Sequence, residues 1–190
     1  MKRKIYTKFL AWKHDSNGKT ALLIEGARRV GKSYIAEKFA KNEYKSYILI
    51  DFNRAAKAVL DIFENYLDDL DTFFLFLSQY YGVTLHERNS LIIFDEVQLY
   101  PRARAAIKFL VADGRYDYME TGSLMSIRKN IKDIIIPSEE RHIRMYPMDF
   151  EEFLWAIGND TLTNFLRDCY VKRRPLGQAM HRKTMDYFRQ

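Results

Sequence analysis

The chain has 190 residues, with 31 Lys and Arg against 25 Asp and Glu and a formal net charge of +6. Its length fits one ordinary domain, or one domain plus a piece of another, and its 47% hydrophobic content is globular rather than disordered or collagen-like. The basic excess sits at the two ends: residues 1–13 carry five basic and no acidic residues, residues 14–166 carry 19 basic and 23 acidic, and residues 167–190 carry seven basic and two acidic. That excludes a uniformly basic nucleic-acid-binding body. The single cysteine, Cys169, excludes an internal disulfide and a cysteine-based zinc site, and fits a reducing, cytoplasmic compartment. The longest apolar run, Phe73 to Leu77, is far short of the roughly 18 to 20 residues that cross a bilayer, so no membrane partner is expected. Met1-Lys2-Arg3-Lys4 is not followed by the apolar stretch of a signal peptide. His14, His86, His142 and His181 have no metal-ligand spacing.

In chain order, Ile5, Phe9 and Trp12 recur at helical spacing with lysines between them, which predicts an N-terminal amphipathic helix within residues 1–16. Asn17-Gly18 marks a turn, and Ala21 to Ile24 is an apolar run suited to a buried strand. Helices are predicted over Ser33–Lys41, Arg54–Glu64, Asp68–Tyr81 and Pro101–Asp113, the last two stopped by Gly82 and Gly114. Strands are predicted at Tyr47–Ile50, Leu91–Phe94, Tyr116–Glu120 and Ile143–Tyr146. Continuous apolar strands alternating with helices indicate an α/β fold with a mainly parallel five-stranded sheet flanked by helices. Near Asp149 the texture changes. Residues 17–148 read as the core, and residues 149–190 as a helical segment broken at Gly158-Asn159-Asp160 and Pro175 to Gly177.

Gly26-Ala27-Arg28-Arg29-Val30-Gly31-Lys32-Ser33 matches the phosphate-loop pattern G-x-x-x-x-G-K-[ST]. Glycines let backbone N–H groups surround a triphosphate, and the following helix turns its positive end toward it. Lys32 suits the β- and γ-phosphates, and the Ser33 hydroxyl suits a Mg²⁺ position. The candidate nucleotide-binding residues are Gly26, Ala27, Arg28, Arg29, Val30, Gly31, Lys32, Ser33 and Tyr34. The bland alternative is a glycine turn that happens to carry a lysine. Its setting between an apolar strand and a helical segment argues for the phosphate loop.

Leu91 to Phe94 is followed by Asp95-Glu96, about 60 residues beyond the loop. A buried strand carries Asp95 to the sheet edge where ligands bind, beside Ser33 as a metal-holding pair, and leaves Glu96 to orient and deprotonate an attacking water. Glu120-Thr121-Gly122-Ser123 is a third element. Thr121 and Ser123 are candidates to touch the γ-phosphate or the water, while Ser123 also reads as a helix N-cap. Gln98 reads equally as a water-placing group or a loop residue.

These residues resemble those of a family of AAA+-type P-loop ATPases of bacteria and archaea. The resemblance rests on Leu23 to Ser33, Phe94-Asp95-Glu96-Val97-Gln98, Glu120-Thr121-Gly122-Ser123-Leu124, and Met145-Tyr146-Pro147-Met148-Asp149-Phe150-Glu151-Glu152-Phe153-Leu154. It implies an AAA+-like core with Walker A (Lys32, Ser33), Walker B (Asp95, Glu96), a polar sensor at Thr121 to Ser123, and ATP with Mg²⁺. It also implies a further C-terminal domain, which this chain would lack because it stops about where that domain begins. Two features depart from the family pattern: Arg28-Arg29 stands where Arg-Gln is usual, and Ser138 to Arg141 lacks a glycine. A homo-oligomer, with a neighbour's Arg128 or Arg141 completing the site, is the family's implication; the alternative for each arginine is a solvated surface residue. The expected function is ATP hydrolysis driving or gating a conformational change. The alternatives are a nucleotide-binding switch with little turnover and a DNA-associated ATPase using Lys172-Arg173-Arg174 and the other basic residues of the tail. A P-loop kinase is the weakest, because the Asp-Glu pair favours water as nucleophile.

Overall fold

A computed structural model describes residues 2–123 and 139–189. The chain forms two compact units, Ile5–Tyr146 on the one hand and Met1–Lys4 with Pro147–Gln190 on the other.

The larger unit is built on five strands: β1 (Ala21–Gly26), β2 (Ser46–Asp51), β3 (Ser90–Asp95), β4 (Asp117–Ser123) and β5 (Glu140–Met145). They lie in the order β2-β3-β4-β1-β5, and every pair is parallel. Parallel neighbours need crossover connections, which place helices over the sheet. The helices are α1 (Ile5–Ser16), α2 (Lys32–Glu43), α3 (Lys57–Asn65), α4 (Leu70–Tyr81) and α5 (Pro101–Asp113). Side-chain alternation sorts the strands between two cores. Leu22, Ile24, Leu91, Ile93 and Met119 join α1 and α2 through Phe9, Trp12, Ile35 and Phe39. Leu23, Ile92, Phe94 and Tyr118 join α3, α4 and α5 through Val59, Phe63, Phe73 and Leu110.

The phosphate-loop strand, the two helices ending at Gly82 and Gly114, and the strand before Asp95 stand where the apolar pattern places them. Both glycines cap their helices in the left-handed region, at φ 61° and 76°. Four elements differ by three residues or more at one end. α3 starts at Lys57 rather than Arg54, because Ala56 before it is extended. The first helix starts at Ile5. β4 runs on through Thr121-Gly122 to Ser123, so Ser123 is a strand residue and not a helix cap. β5 begins at Glu140, before its apolar part, because Ala21 to Gly26 of β1 pair with it along their whole length.

In the smaller unit, α6 (Phe150–Ala156), α7 (Asp160–Val171) and α8 (Gln178–Phe188) follow one another. Asp149 caps α6 by accepting from the Glu152 N–H at 2.9 Å, while Glu152 accepts from the Asp149 N–H at 3.2 Å. Residues 2–4 belong here. Lys2 pairs with Asp160 at 2.8 Å, Arg3 with Glu152 at 3.2 Å, and Lys4 with Asp149 at 2.7 Å and Glu151 at 2.5 Å. The first basic residues therefore do not extend α1.

The larger unit buries charge under the sheet. Arg104 of α5 and Glu140 of β5 meet at 3.1 Å and are almost completely buried. His142 sits beside them, 3.1 Å from Glu140 and 3.2 Å from Glu25. Glu120 of β4 is fully buried, and neither carboxylate oxygen has a hydrogen-bond partner among the described residues. Burial holds its carboxyl well above the ordinary value of 4.5, with the negative Glu140 adding to the rise and Arg104 opposing it. The folded chain therefore keeps this proton where the unfolded chain has lost it. Its contribution is most favourable below pH 4.5 and declines as pH rises toward the raised folded value. Glu120→Gln removes that decline. Melting curves from pH 4 to 8 should show the variant gaining steadily on the wild type, by roughly 3 °C or more at pH 8 for a chain of this size. Parallel curves would mean that Glu120 keeps the same protonation folded and unfolded.

Candidate nucleotide site

The sequence-predicted residues converge at the C-terminal ends of three strands. Gly26 ends β1, Asp95 ends β3, and Thr121 to Ser123 end β4, with Gly26 in register with Ser123. This is the edge at which open α/β sheets bind ligands.

The loop after β1 turns on its backbone. Arg29 (φ 64°) and Gly31 (φ 90°) are left-handed, while Val30 between them and Lys32 after them are not. Alternation of hand makes successive N–H groups converge into an anion-binding hollow. Gly31 also stands at the N-cap of α2, where no side chain takes up the first N–H groups. Gly26 is required for a different reason. A Cβ there would lie 2.3 Å from the Met145 carbonyl oxygen of β5.

Lys32 is buried, and its ammonium donates to the carbonyl oxygens of Ala27 at 2.9 Å and Gly26 at 3.4 Å. Burial lowers its pKa below the ordinary 10.5, assisted by the positive charge of Arg28 and opposed by Glu96 and Asp95. Among the described residues no carboxylate lies within ion-pair distance of Lys32, Arg28 or Arg29. Arg28, Arg29 and Ala27 are exposed, and Tyr34 stands half-exposed on the first turn of α2. Three cations without carboxylate partners, around converging N–H groups, suit a polyanion such as a triphosphate.

The carboxylate side is tightly connected. The Ser33 hydroxyl donates to Asp95 Oδ1 at 2.7 Å, and the Thr121 hydroxyl donates to the same oxygen. Thr121 Oγ1 in turn accepts from the Glu96 N–H at 3.3 Å. Asp95, Thr121 and Ser123 are all buried, and Asp95 and Thr121 project on the α2 face of the sheet. Glu96 is half-buried and left-handed, at φ 54° and ψ 43°, and its carboxylate accepts from the Gln98 amide. Oxygen donors from Ser33 and Asp95, with no sulfur or imidazole, fit a hard cation such as Mg²⁺. Ser123 is buried at the end of β4, in register with Gly26. Arg141 lies on β5, exposed and 3.6 Å from Asp15, whereas Arg128 lies outside the described residues. The Glu96–Gln98 contact has only a faint signal in the sequence, the spacing of two residues.

The close approach at Gly26 generates a prediction. Gly26→Ala forces β1 and β5 apart by backbone, at a cost of about 1–3 kcal/mol. Chemical denaturation should show that loss, and an unchanged midpoint would mean that β5 yields freely.

Comparison with known proteins fits this geometry. A family model described as an AAA domain matches residues 18–154. No curated protein matches the chain. Among solved structures, the Aeropyrum pernix ORC1 protein in complex with DNA superposes with a TM-score of 0.52 at 10% identity, covering 84% of this chain and 50% of that one. This chain thus spans half the length of that neighbour, and the likeness is one of fold. Drosophila ORC bound to GC-rich DNA and Cdc6 gives a TM-score of 0.48 at 10% identity, over 96% of this chain and 81% of that one. With the phosphate loop at the end of β1 and an all-parallel five-stranded sheet, the chain belongs to the AAA domain family, among the AAA+-type P-loop ATPases.

Proposed function

We propose that the chain binds ATP with Mg²⁺ at this site and hydrolyses it to ADP and phosphate, driving or gating a conformational change. The observation that carries the reading is the single hydrogen-bonded cluster joining Ser33, Asp95, Thr121 and Glu96 beside the buried Lys32. Lys32, the loop N–H groups and the free guanidinium groups of Arg28 and Arg29 receive the phosphates. Ser33 and Asp95 are the residues that hold Mg²⁺, which when bound neutralises phosphate charge. Glu96 takes a proton from water as the water oxygen bonds to the γ-phosphorus and the bond to the bridging β–γ oxygen breaks. Thr121 fixes the backbone of that base by accepting its N–H. Its hydroxyl and that of Ser123, at the end of the same strand, are the sensor groups for the γ-phosphate or the water in this reading.

Charge pairing weighs on the DNA-associated reading. Lys2, Arg3 and Lys4 are matched with carboxylates of their own unit, and Lys172 with Asp168 at 2.6 Å. Among the described tail residues, Arg173, Arg174, Arg182, Lys183 and Arg189 form no ion pair and are the groups that suit nucleic-acid phosphates. The neighbouring ORC1 protein carries DNA in its structure, but at this identity only the fold is shared.

Two substitutions test the proposal. Lys32→Ala should abolish the rise in melting temperature produced by millimolar ATP-Mg²⁺. Glu96→Gln should keep that rise and lose at least about 100-fold in phosphate release. Stabilisation of the wild type without phosphate release would identify a nucleotide-binding switch. Absence of any stabilisation would remove both readings.

A further inference from the structure

Glu96 has an unusual support. Its backbone is pinned on both sides: the N–H donates to Thr121 Oγ1, and the carbonyl oxygen accepts from the Leu99 N–H at 2.9 Å. The residue is left-handed, a conformation that costs a side-chain-bearing residue energy and persists only where the surroundings enforce it. Immediately after it comes a 3₁₀ turn, Val97–Leu99, anchored by the fully buried Val97. That turn swings Gln98 back so that its Nε2 donates to Glu96 Oε2. Gln98 is only 5% exposed, although it lies in a connection between a strand and α5. Among the described residues it is the one hydrogen-bond donor to the Glu96 carboxylate.

We propose that Gln98 is a positioning residue for Glu96: its amide holds one carboxylate oxygen and leaves the other to face the attacking water. The inference rests on the hydrolytic reading given above. A general base works when its lone pair is held at a fixed place, and a third group commonly does the holding. Glutamate has a long side chain, so a fixed backbone alone leaves its carboxylate free to rotate. The neutral amide orients that carboxylate without cancelling its charge, which a lysine at the same position would do. Gln98 therefore acts through Glu96, not on the water.

The test compares wild type, Gln98→Met, which keeps length and volume without the donor, and Gln98→Glu, which replaces the donor with a like charge. Gln98→Met should lower kcat about tenfold, a fraction of the full effect of a general base, with KM for ATP unchanged. Gln98→Glu should lose more. The ATP-Mg²⁺ melting shift should stay at the wild-type value in both. In nucleotide-free protein, the infrared carboxylate band that Glu96→Gln removes should shift in Gln98→Met, since it reports the donated hydrogen bond directly. In a Glu96→Gln background, Gln98→Met should cost nothing further. Wild-type kcat in Gln98→Met, or an unmoved band, overturns the proposal, and so does an additional loss in the Glu96→Gln background. If Gln98→Met does not fold, Gln98→Glu with its band and its kcat decides. A wild type that binds ATP without turnover ends the hydrolytic reading and this one together, whereas a wild type that turns over beside an equally active Gln98→Met ends this one alone.

Discussion

One carboxylate oxygen holds the site together. Asp95 Oδ1 accepts from Ser33, on the first turn of α2, and from Thr121, on β4. It thereby joins the helix after the phosphate loop to the ends of two neighbouring strands. A buried carboxylate is tolerable only when its lone pairs are satisfied, and two hydroxyl donors do that here. The arrangement requires that β3 and β4 be adjacent and parallel, and that Asp95 and Thr121 project on the face covered by α2. The register of Phe94 opposite Glu120 puts Asp95 and Thr121 one step further along and on the same face. The same alternation sends Glu120 to the opposite face, into the buried cluster with Arg104 and Glu140. Two adjacent residues of β4 thus join the Ser33–Asp95 cluster on one side of the sheet and a charged core on the other.

This geometry explains what could be read from the sequence. β1 and β3 are announced by four apolar residues each and end in chemistry with a known spacing, so the loop and Asp95-Glu96 are legible. β4 is legible only as far as Glu120, because Thr121, Gly122 and Ser123 add no apolar signal to a wholly buried strand. An apolar-run rule stops at the first of them. β5 is an edge strand in which only Ile143 and Met145 are buried, and its charged beginning is held by backbone pairing with β1. The start of α1 was hidden for another reason. Lys2, Arg3 and Lys4 continue a helical pattern, but their charges pair with carboxylates about 150 residues away, a long-range term that no local window contains.

The net charge of +6 divides by physical role. At the N-terminus Lys2 is matched with Asp160, Arg3 with Glu152, and Lys4 with both Asp149 and Glu151. In the phosphate loop, Arg28, Arg29 and Lys32 have no such partners among the described residues. Exposed pairs contribute little to stability, so the first set mainly fixes where residues 2–4 lie, apart from the buried Arg3–Glu152 pair. The second set carries an unmatched positive potential into the hollow made by the loop. A partly desolvated lysine beside a free arginine is destabilising on its own, which is why its pKa falls. A polyanion bound there would reverse the sign of that contribution.

Strain follows the same logic. Of the five described residues other than glycine with left-handed backbone, two stand in the site, Arg29 in the phosphate loop and Glu96 after β3. Each costs of order 1 kcal/mol or more, and each is held by its neighbours rather than by its own preference. At Arg29 the strain aligns N–H groups. At Glu96 it ends the strand abruptly, so that the chain turns through Val97–Leu99 and enters α5 at Pro101. Had Glu96 continued the strand, its side chain would have alternated onto the face opposite Asp95. The left-handed turn breaks that alternation directly after Asp95, which is itself fixed among hydroxyl groups.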